Sequence, residues 1–310
     1  MKALITGADG FVGRHLVQNL LHINNEVIPT SRNGNNGCIA TGDLSEDYNW
    51  YQILADCDVV IHLAARVHQM HDTAPDPLSE FRRVNTSGTL HLAKQAISAG
   101  VKRFVFISTI KVNGEESAIP YSENSPPQPS DPYALSKWEA EQGLLQLAKD
   151  STMEIVIIRP PLVYGPGVKG NFSSLIQIVK YGIPLPFKSI KNLRSLIGLS
   201  NLVDFIILCA DRNRSPKAAG QVFLISDGSD ISTPELIKKV SAACQLKPRL
   251  ICFPPCLLRL VAVFMGRKSA ADRLLGSLQV DITKARSMLG WQPIATMDQQ
   301  LHQITNQIKK

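Results

Sequence analysis

A chain of 310 residues with 44% hydrophobic and 19% charged residues can bury an ample core, as one large domain or two modest ones. Its formal net charge of +7 suits an anionic ligand, but the 33 basic residues are scattered without a dense run, which argues against nucleic acid as a partner. Cys38, Cys57, Cys209, Cys244, Cys252 and Cys256 form no CxxC pair and no disulfide framework, so a reduced, cytoplasmic protein is expected.

The first residues carry no charged leader with an apolar region and cleavage site, so no export is expected. Residues 2–6 form an apolar run that enters Gly7-Ala8-Asp9-Gly10-Phe11-Val12-Gly13, and Arg14 to Leu21 then shows helical spacing. This is strand, glycine loop, helix. The three glycines allow a tight turn, close approach of backbone N–H groups to a pyrophosphate, and close helix–strand packing, with the helix N-terminus facing the phosphates. A merely structural turn is the competing reading.

A second strand, Glu26 to Pro29, leads into Thr30-Ser31-Arg32, where dinucleotide sites place an acid for a free ribose or a basic residue for a 2′-phosphate. No acid stands there, so Arg32 favours NADP over NAD. Gly42-Asp43-Leu44 reads as the end of a third strand, where a carboxylate can accept the adenine amino group. Val59 to Leu63 reads as a buried parallel strand that stops at Ala64 and Ala65, where the backbone would pass beneath a cofactor. His62 is expected to pack at the strand end rather than catalyse. His68 and His71 have a metal-like spacing without accompanying cysteines or carboxylates, so no metal is expected.

Asn85 to Ala99 reads as a helix and Arg103 to Ser108 as a strand; this alternation predicts an α/β doubly wound parallel sheet of the Rossmann type. Ser108 and Thr109 then lie at the carboxyl end of a central strand, where such sheets bind ligands; a mere turn cap is the lesser alternative. A loop rich in proline and serine, 115–130, delivers the chain to Asp131-Pro132-Tyr133-Ala134-Leu135-Ser136-Lys137. Pro132 suits a helix start, and Tyr133 and Lys137 fall at i, i+4 on one helical face. A free tyrosine titrates near pH ~10, and a nearby ammonium favours the phenolate, which makes Tyr133 a candidate acid/base at a hydroxyl. An ordinary helix with a packed ring and a solvated lysine is the bland alternative.

Glu154 to Arg159 reads as another strand, followed by breakers through Gly167 that suggest the chain leaves the sheet. Asn171 to Phe187 is expected to begin a smaller lobe, Arg194 to Ala210 to return a strand and a helix to the sheet, and Gln221 to Ser226 to add a late strand. The predicted division is 1–165 with 195–230 for the dinucleotide, and 166–194 with 231–310 for a mostly helical C-terminal substrate lobe. Leu250 to Gly266 is too short and too interrupted by Pro254, Pro255 and Arg259 to span a bilayer, so it reads as a loop and a buried or partner-contacting helix, with peripheral membrane contact as the lesser alternative.

Assembled, these residues resemble the extended short-chain dehydrogenase/reductases, and within them the nucleotide-sugar epimerase/dehydratase family, along nearly the whole chain. The glycine loop stands for TGxxGFxG, Asp43-Leu44 for the adenine contact, His62-Leu63-Ala64-Ala65 for HLAA, Tyr133 with Lys137 for YxxxK, and Arg159-Pro160 to Pro166 for RPxxVYGP. The resemblance implies catalysis by Thr109, Tyr133 and Lys137, with Thr109 bonding the reacting oxygen, Lys137 on the nicotinamide ribose and lowering the tyrosine pKa, and Ser108 in support. It implies cofactor contacts from Gly7, Asp9, Gly10, Phe11, Val12, Arg32, Asp43, Leu44, Leu63, Ala64, Ala65, Ser108 and Pro160. Arg194 is expected to grip a UDP-sugar diphosphate, with Arg273 as a second contact and Asn171 with Phe172 at the nucleotide pocket.

Two departures narrow the reading. The family's dehydratases carry Asp-Glu after the catalytic threonine, whereas this chain has Ile110-Lys111, so a 4,6-dehydratase is not expected. Asn113 replaces the tyrosine of VYG, and the 108–114 loop is similar to that of bacterial surface-polysaccharide enzymes acting at C4 of UDP-N-acetyl-6-deoxyhexoses such as UDP-N-acetylquinovosamine. The leading expectation is therefore an NAD(P)-dependent C4 oxidoreductase, with NADP favoured over NAD, ahead of a UDP-glucose or UDP-N-acetylglucosamine 4-epimerase and a non-catalytic NADP-binding regulator. A homodimer is the family expectation.

Overall fold

The computed structural model describes residues 1–44, 47–67, 76–265 and 268–308. In chain order the first half runs β1 (Lys2–Thr6), α1 (Phe11–His22), β2 (Glu26–Ser31), β3 (Ile39–Ala40), α2 (Tyr51–Leu54), β4 (Val59–His62), α3 (Pro77–Phe81), α4 (Gly88–Ser98), β5 (Arg103–Ile107) and α5 (Pro132–Lys149). The second half runs β6 (Glu154–Arg159), β7 (Leu162–Tyr164), α6 (Asn171–Lys180), β8 (Leu196–Gly198), α7 (Leu199–Ala210), β9 (Gln221–Leu224), α8 (Thr233–Ala243), α9 (Pro255–Phe264), α10 (Lys268–Leu275), α11 (Thr283–Leu289) and α12 (Met297–Ile308).

Seven strands form one parallel sheet in the order β3-β2-β1-β4-β5-β6-β9. Chain direction across the sheet reverses between β1 and β4, and the carboxyl ends there open the crevice in which such sheets take a ligand. Alternate residues of the central strands feed two cores. Ala3, Ile5, Ile61, Val105 and Ile158 face α1 and α7, whereas Leu4, Val60, Phe104, Phe106 and Ile157 meet residues of α4 and α5. Both faces are covered, which is why these strands read as continuous apolar runs rather than alternating ones. A third cluster, including Tyr164, Phe172, Ile176, Leu196, Ile237 and Leu301, gathers the helices beyond β7 around their own core.

Three expectations change here. Residues 196–198 do not join the main sheet. They pair with β7 in a separate two-stranded sheet, Leu162 opposite Leu196, while α7 alone returns to pack against α1. The helix expected from Asn85 begins earlier, because Asp76 accepts the Ser79 N–H at 3.1 Å and Pro77 follows as first helical residue; a π-helical turn over Arg82–Ser87 carries it into α4. The third strand closes at Ala40, short of Asp43. The predicted late helical stretch is present as α8 to α12, but α9 buries none of its residues.

Candidate active site

The β1–α1 connection is shaped by steric exclusion. Gly7 has φ +67°, and a Cβ there would stand 2.9 Å from the Ala64 backbone. A Cβ on Gly13 would come within 2.2 Å of the Gly7 carbonyl oxygen and 2.7 Å of Ala8 Cα. The helix can therefore start against the strand only because both side chains are missing. Gly10 is the N-cap of the 12-residue α1 and offers no side-chain cap, which leaves the first N–H groups of α1 to a ligand. A loop held this close, opening onto a bare helix N-terminus with Asp9, Phe11 and Val12 at its rim, fits a pyrophosphate.

Across the crevice, Ala64 is fixed by a buried hydroxyl–imidazole chain. Thr89 donates to the Asn85 carbonyl at 2.7 Å and lies 2.9 Å from His62 Nε2, and Thr6 Oγ1 lies 2.7 Å from Nδ1 while accepting the Ala64 N–H at 3.2 Å. Donor counting then assigns Nε2–H and leaves Nδ1 as acceptor, a neutral ring. Burial, with Lys137 nearby, pushes the His62 pKa down to about 3. His62 is thus a structural strut beneath Leu63, Ala64 and Ala65. The His68 and His71 reading lies outside the described residues.

At the end of β2, Arg32 Nε stands 2.7 Å from Asp43 Oδ1, and both side chains are half exposed. The two residues assigned separately to ribose phosphate and adenine are therefore held together. Leu44 is buried, its side chain and backbone against Gly88.

The strand β5 ends at Ile107, and Thr109 caps the short turn Ile110–Val112 by accepting the Lys111 N–H at 3.3 Å. The Ile110 N–H donates to the Pro160 carbonyl at 3.0 Å, which ties this turn to the end of β6. Lys111 then reaches the other wall: its Nζ donates to Asp131 Oδ2 at 2.5 Å and stands 2.6 Å from Glu115. Asp131 uses its second oxygen to accept the Ala134 N–H at 2.6 Å, capping α5 just ahead of Pro132 and Tyr133. One carboxylate thereby joins the Thr109 turn to the helix that carries Tyr133. The sequence placed this helix start correctly but did not connect Lys111 to it, since the two lie twenty residues apart in the chain.

Tyr133 packs edge-on against Phe81, with centroids 6.2 Å apart, and Lys137 Nζ sits 3.8 Å from the centroid of the Phe106 ring. Burial, then the Asp131 charge, pushes the Tyr133 phenol up to about 12. Burial brings the Lys137 ammonium down to about 7, partly opposed by Glu141. In the protein alone burial and Asp131 move the phenol upward, the opposite direction to the lowering expected from Lys137. The i, i+4 spacing puts both residues on α5, but it cannot report the dielectric around them.

Beneath them lies a buried polar network the motifs did not reveal. Arg159 donates through Nε to Glu141 Oε1 at 3.0 Å and through Nη1 to Asn113 Oδ1 at 3.0 Å, and Ser108 donates to Glu141. Asn113, the residue that departs from the family tyrosine, is fully buried as an acceptor for Arg159 and donates to the Ser125 carbonyl. Glu141 lies one turn beyond Lys137 on the same helical face, the one signal by which the sequence could have included it.

In the lobe, Arg194 bridges Ile231 and Leu278 through its backbone, and its Nη1 donates to the Gly276 carbonyl at 3.1 Å. Gly276 directly follows α10, the helix on which Arg273 lies; the Arg273 side chain falls outside the described residues. Asn171 opens α6 exposed, while Phe172 is buried and stacked on Tyr164 at 5.4 Å. Among the described residues no group of three or more metal-ligating side chains occurs.

Residues 3–225 match the family described as "NAD dependent epimerase/dehydratase family". A protein of Vibrio cholerae named UDP-glucose 4-epimerase is 46% identical over 304 residues, 96% of this chain and 92% of its own. The solved structure "MoeE5 in complex with UDP-glucose and NAD" superposes with a TM-score of 0.78 at 26% identity, covering 100% of this chain and 99% of that one. The fold is also that of "RMD from Pseudomonas aeruginosa complexed with NADPH", with a TM-score of 0.75 at 24% identity and coverage of 99% and 98%.

Proposed function

The chain belongs to the NAD dependent epimerase/dehydratase family, and from that premise we propose that it interconverts the C4 epimers of a UDP-hexose. The observation that carries this is the Arg32–Asp43 pair. Preference for an exchangeable NADP rested on Arg32 as a cation for the 2′-phosphate, and the paired guanidinium is partly spoken for. A kept, unphosphorylated dinucleotide suits an epimerase, which removes and returns one hydride within a turnover. The match to the Vibrio cholerae UDP-glucose 4-epimerase across nearly the whole chain supports the same choice.

In this reading the sheet side of the molecule holds the dinucleotide and the lobe built from 166–194 and 231–310 holds the UDP-sugar. A bound oxidised nicotinamide supplies the hydride acceptor and a positive ring charge that favours the phenolate. Tyr133 takes the proton of the C4 hydroxyl and returns it, Thr109 accepts and donates at the same oxygen, and Lys137 orients the ribose and adds its charge. Arg194, with Arg273, binds the diphosphate through charge-assisted hydrogen bonds.

The test is incubation of purified protein with UDP-glucose or UDP-N-acetylglucosamine and no added cofactor. The expected result is accumulation of the C4 epimer to equilibrium without net change in absorbance near ~340 nm, the reduced-nicotinamide signal. A second reading, C4 reduction of a UDP-4-keto-6-deoxy-N-acetylhexosamine for surface polysaccharide, is favoured by the missing acid at 30–32 and by the Lys111–Asn113 loop. Stoichiometric oxidation of added NADPH with that sugar, and no cofactor-free epimerisation, would establish it instead. A regulator would need no acid/base tyrosine, and turnover in either assay removes that reading.

The Arg32–Asp43 pair makes a separate prediction. Asp43→Ala releases Arg32 and should move the ratio of NADPH to NADH affinity towards NADPH by about 5-fold, the scale of an exposed ion pair. Arg32→Asp should move it the other way by adding repulsion to lost attraction. Titrations giving one unchanged ratio for all three proteins would show that the pair does not gate dinucleotide choice.

A further inference from the structure

Lys111 joins two parts of the site that the chain builds separately. Its backbone N–H donates to Thr109 Oγ1, and its ammonium donates to Asp131 Oδ2 at 2.5 Å, twenty residues further on. A second carboxylate, Glu115, stands 2.6 Å from the same nitrogen. The Lys111 and Asp131 side chains are each 25% exposed, so the contact is sheltered from the solvent that makes an open ion pair weak.

Asp131 carries this contact to the tyrosine. Its other oxygen accepts the Ala134 N–H at 2.6 Å, which fixes the carboxylate at the start of α5, two residues before Tyr133. The remaining charged groups around the ring are paired, neutral or set against other rings. Arg82 and Arg83 of the π-helical turn hold Glu139 and Glu80, and Arg159 of β6 holds Glu141. His62 is neutral, Arg66 stands over the Phe81 ring and Lys137 over the Phe106 ring. Asp131 is the charge that bears on the phenol, and it acts upward, against the phenolate a general base requires. An ammonium held on that carboxylate offsets it.

We propose that Lys111 is a positioning residue for proton transfer, setting through Asp131 the pH range over which Tyr133 can give up its proton. The inference rests on Tyr133 as the acid/base, and not on which C4 reaction follows. Lys111 does not touch the sugar in this role; it acts by holding one anion in place and compensating its charge.

The test measures the pH dependence of turnover with UDP-glucose. Separately, with oxidised dinucleotide bound, it measures the phenolate absorbance difference between each protein and its Tyr133→Phe counterpart. Lys111→Met keeps the backbone N–H on Thr109 and so isolates the ammonium. It should move both the rising limb of turnover and the phenolate titration up by about 0.5 pH unit, the scale of a lost ion-pair partner. Asp131→Asn keeps an N-cap acceptor and should move both down. In the Asp131→Asn background, Lys111→Met should add less than about half of its shift in the parent, because the two residues act as one unit. Lys111→Arg, which retains the charge, should restore the parent profile. Turnover lowered by one factor at every pH, with an unmoved phenolate titration, would make Lys111 a structural clamp only and overturn the proposal. An undiminished Lys111→Met shift in the Asp131→Asn background would overturn it as well. Phenolate titrations that shift as expected in proteins without C4 turnover would sink the proposed reaction and uphold this inference.

Discussion

Tyr133→Phe is expected to lower turnover by at least about 10²-fold, the scale of general acid/base catalysis, while folding and dinucleotide affinity stay unchanged. The phenol oxygen is the only atom removed. The ring keeps its edge-on contact with Phe81, and α5 keeps its cap because the Asp131 carboxylate bonds the Ala134 N–H and Lys111 rather than Tyr133. In the protein alone the phenol is held up to about 12 by burial and by Asp131, so it is protonated at neutral pH. In the proposed mechanism, the charge that lets it act as a base comes with the bound dinucleotide and Lys137. This makes a companion measurement informative: a phenolate absorbance difference on adding oxidised dinucleotide should appear in the parent and vanish in Tyr133→Phe. Turnover within about 3-fold of the parent, well below any general-base effect, would remove Tyr133 from the mechanism.

Much of the fold was legible because its signals are local. Apolar runs of four to six residues ending at Gly7, Ala64 and Ser108 mark the strands, and Pro132 after Asp131 marks the start of α5. What stayed hidden depends on partners distant in sequence. The three residues 196–198 are apolar enough for any sheet, and nothing in their pattern selects β7 over the central strands. The period of α9 shows a stripe but not which way it faces, and of the readings open to it only the buried one is overturned, since none of its residues is buried. At the site, YxxxK fixes which face Tyr133 and Lys137 share. The opposed pKa shifts arise from burial, which no spacing encodes. Lys111 looked like a missing dehydratase acid; its role in tying Asp131 to the Thr109 turn appears only when the two walls are brought together.

The largest stability effect is expected at the buried pair behind the site. Glu141 is fully buried, and Arg159, also buried, lies against it through two guanidinium nitrogens while a third contact runs to Asn113. Ser108 donates to the same carboxylate, so one anion holds the ends of β5 and β6 to α5, directly beneath Thr109 and Lys137. Replacing a buried ion pair with apolar groups of similar volume is often tolerated, but removing one partner leaves an uncompensated buried charge. Glu141→Gln keeps the shape and strands the Arg159 cation, and should cost about 3–5 kcal/mol in denaturant unfolding, a large share of the ~5–15 kcal/mol typical of a domain. Glu141→Leu combined with Arg159→Met removes both charges and should be more stable than Glu141→Leu or Arg159→Met alone, giving a coupling energy that a pair of independent sites would not show. Activity should not recover with stability, because Ser108 and Asn113 lose the partners that hold the strand end under Thr109. If Glu141→Gln unfolds at the same denaturant concentration as the parent, or if the double variant is no more stable than Glu141→Leu or Arg159→Met alone, the pair does not hold the floor of the site together.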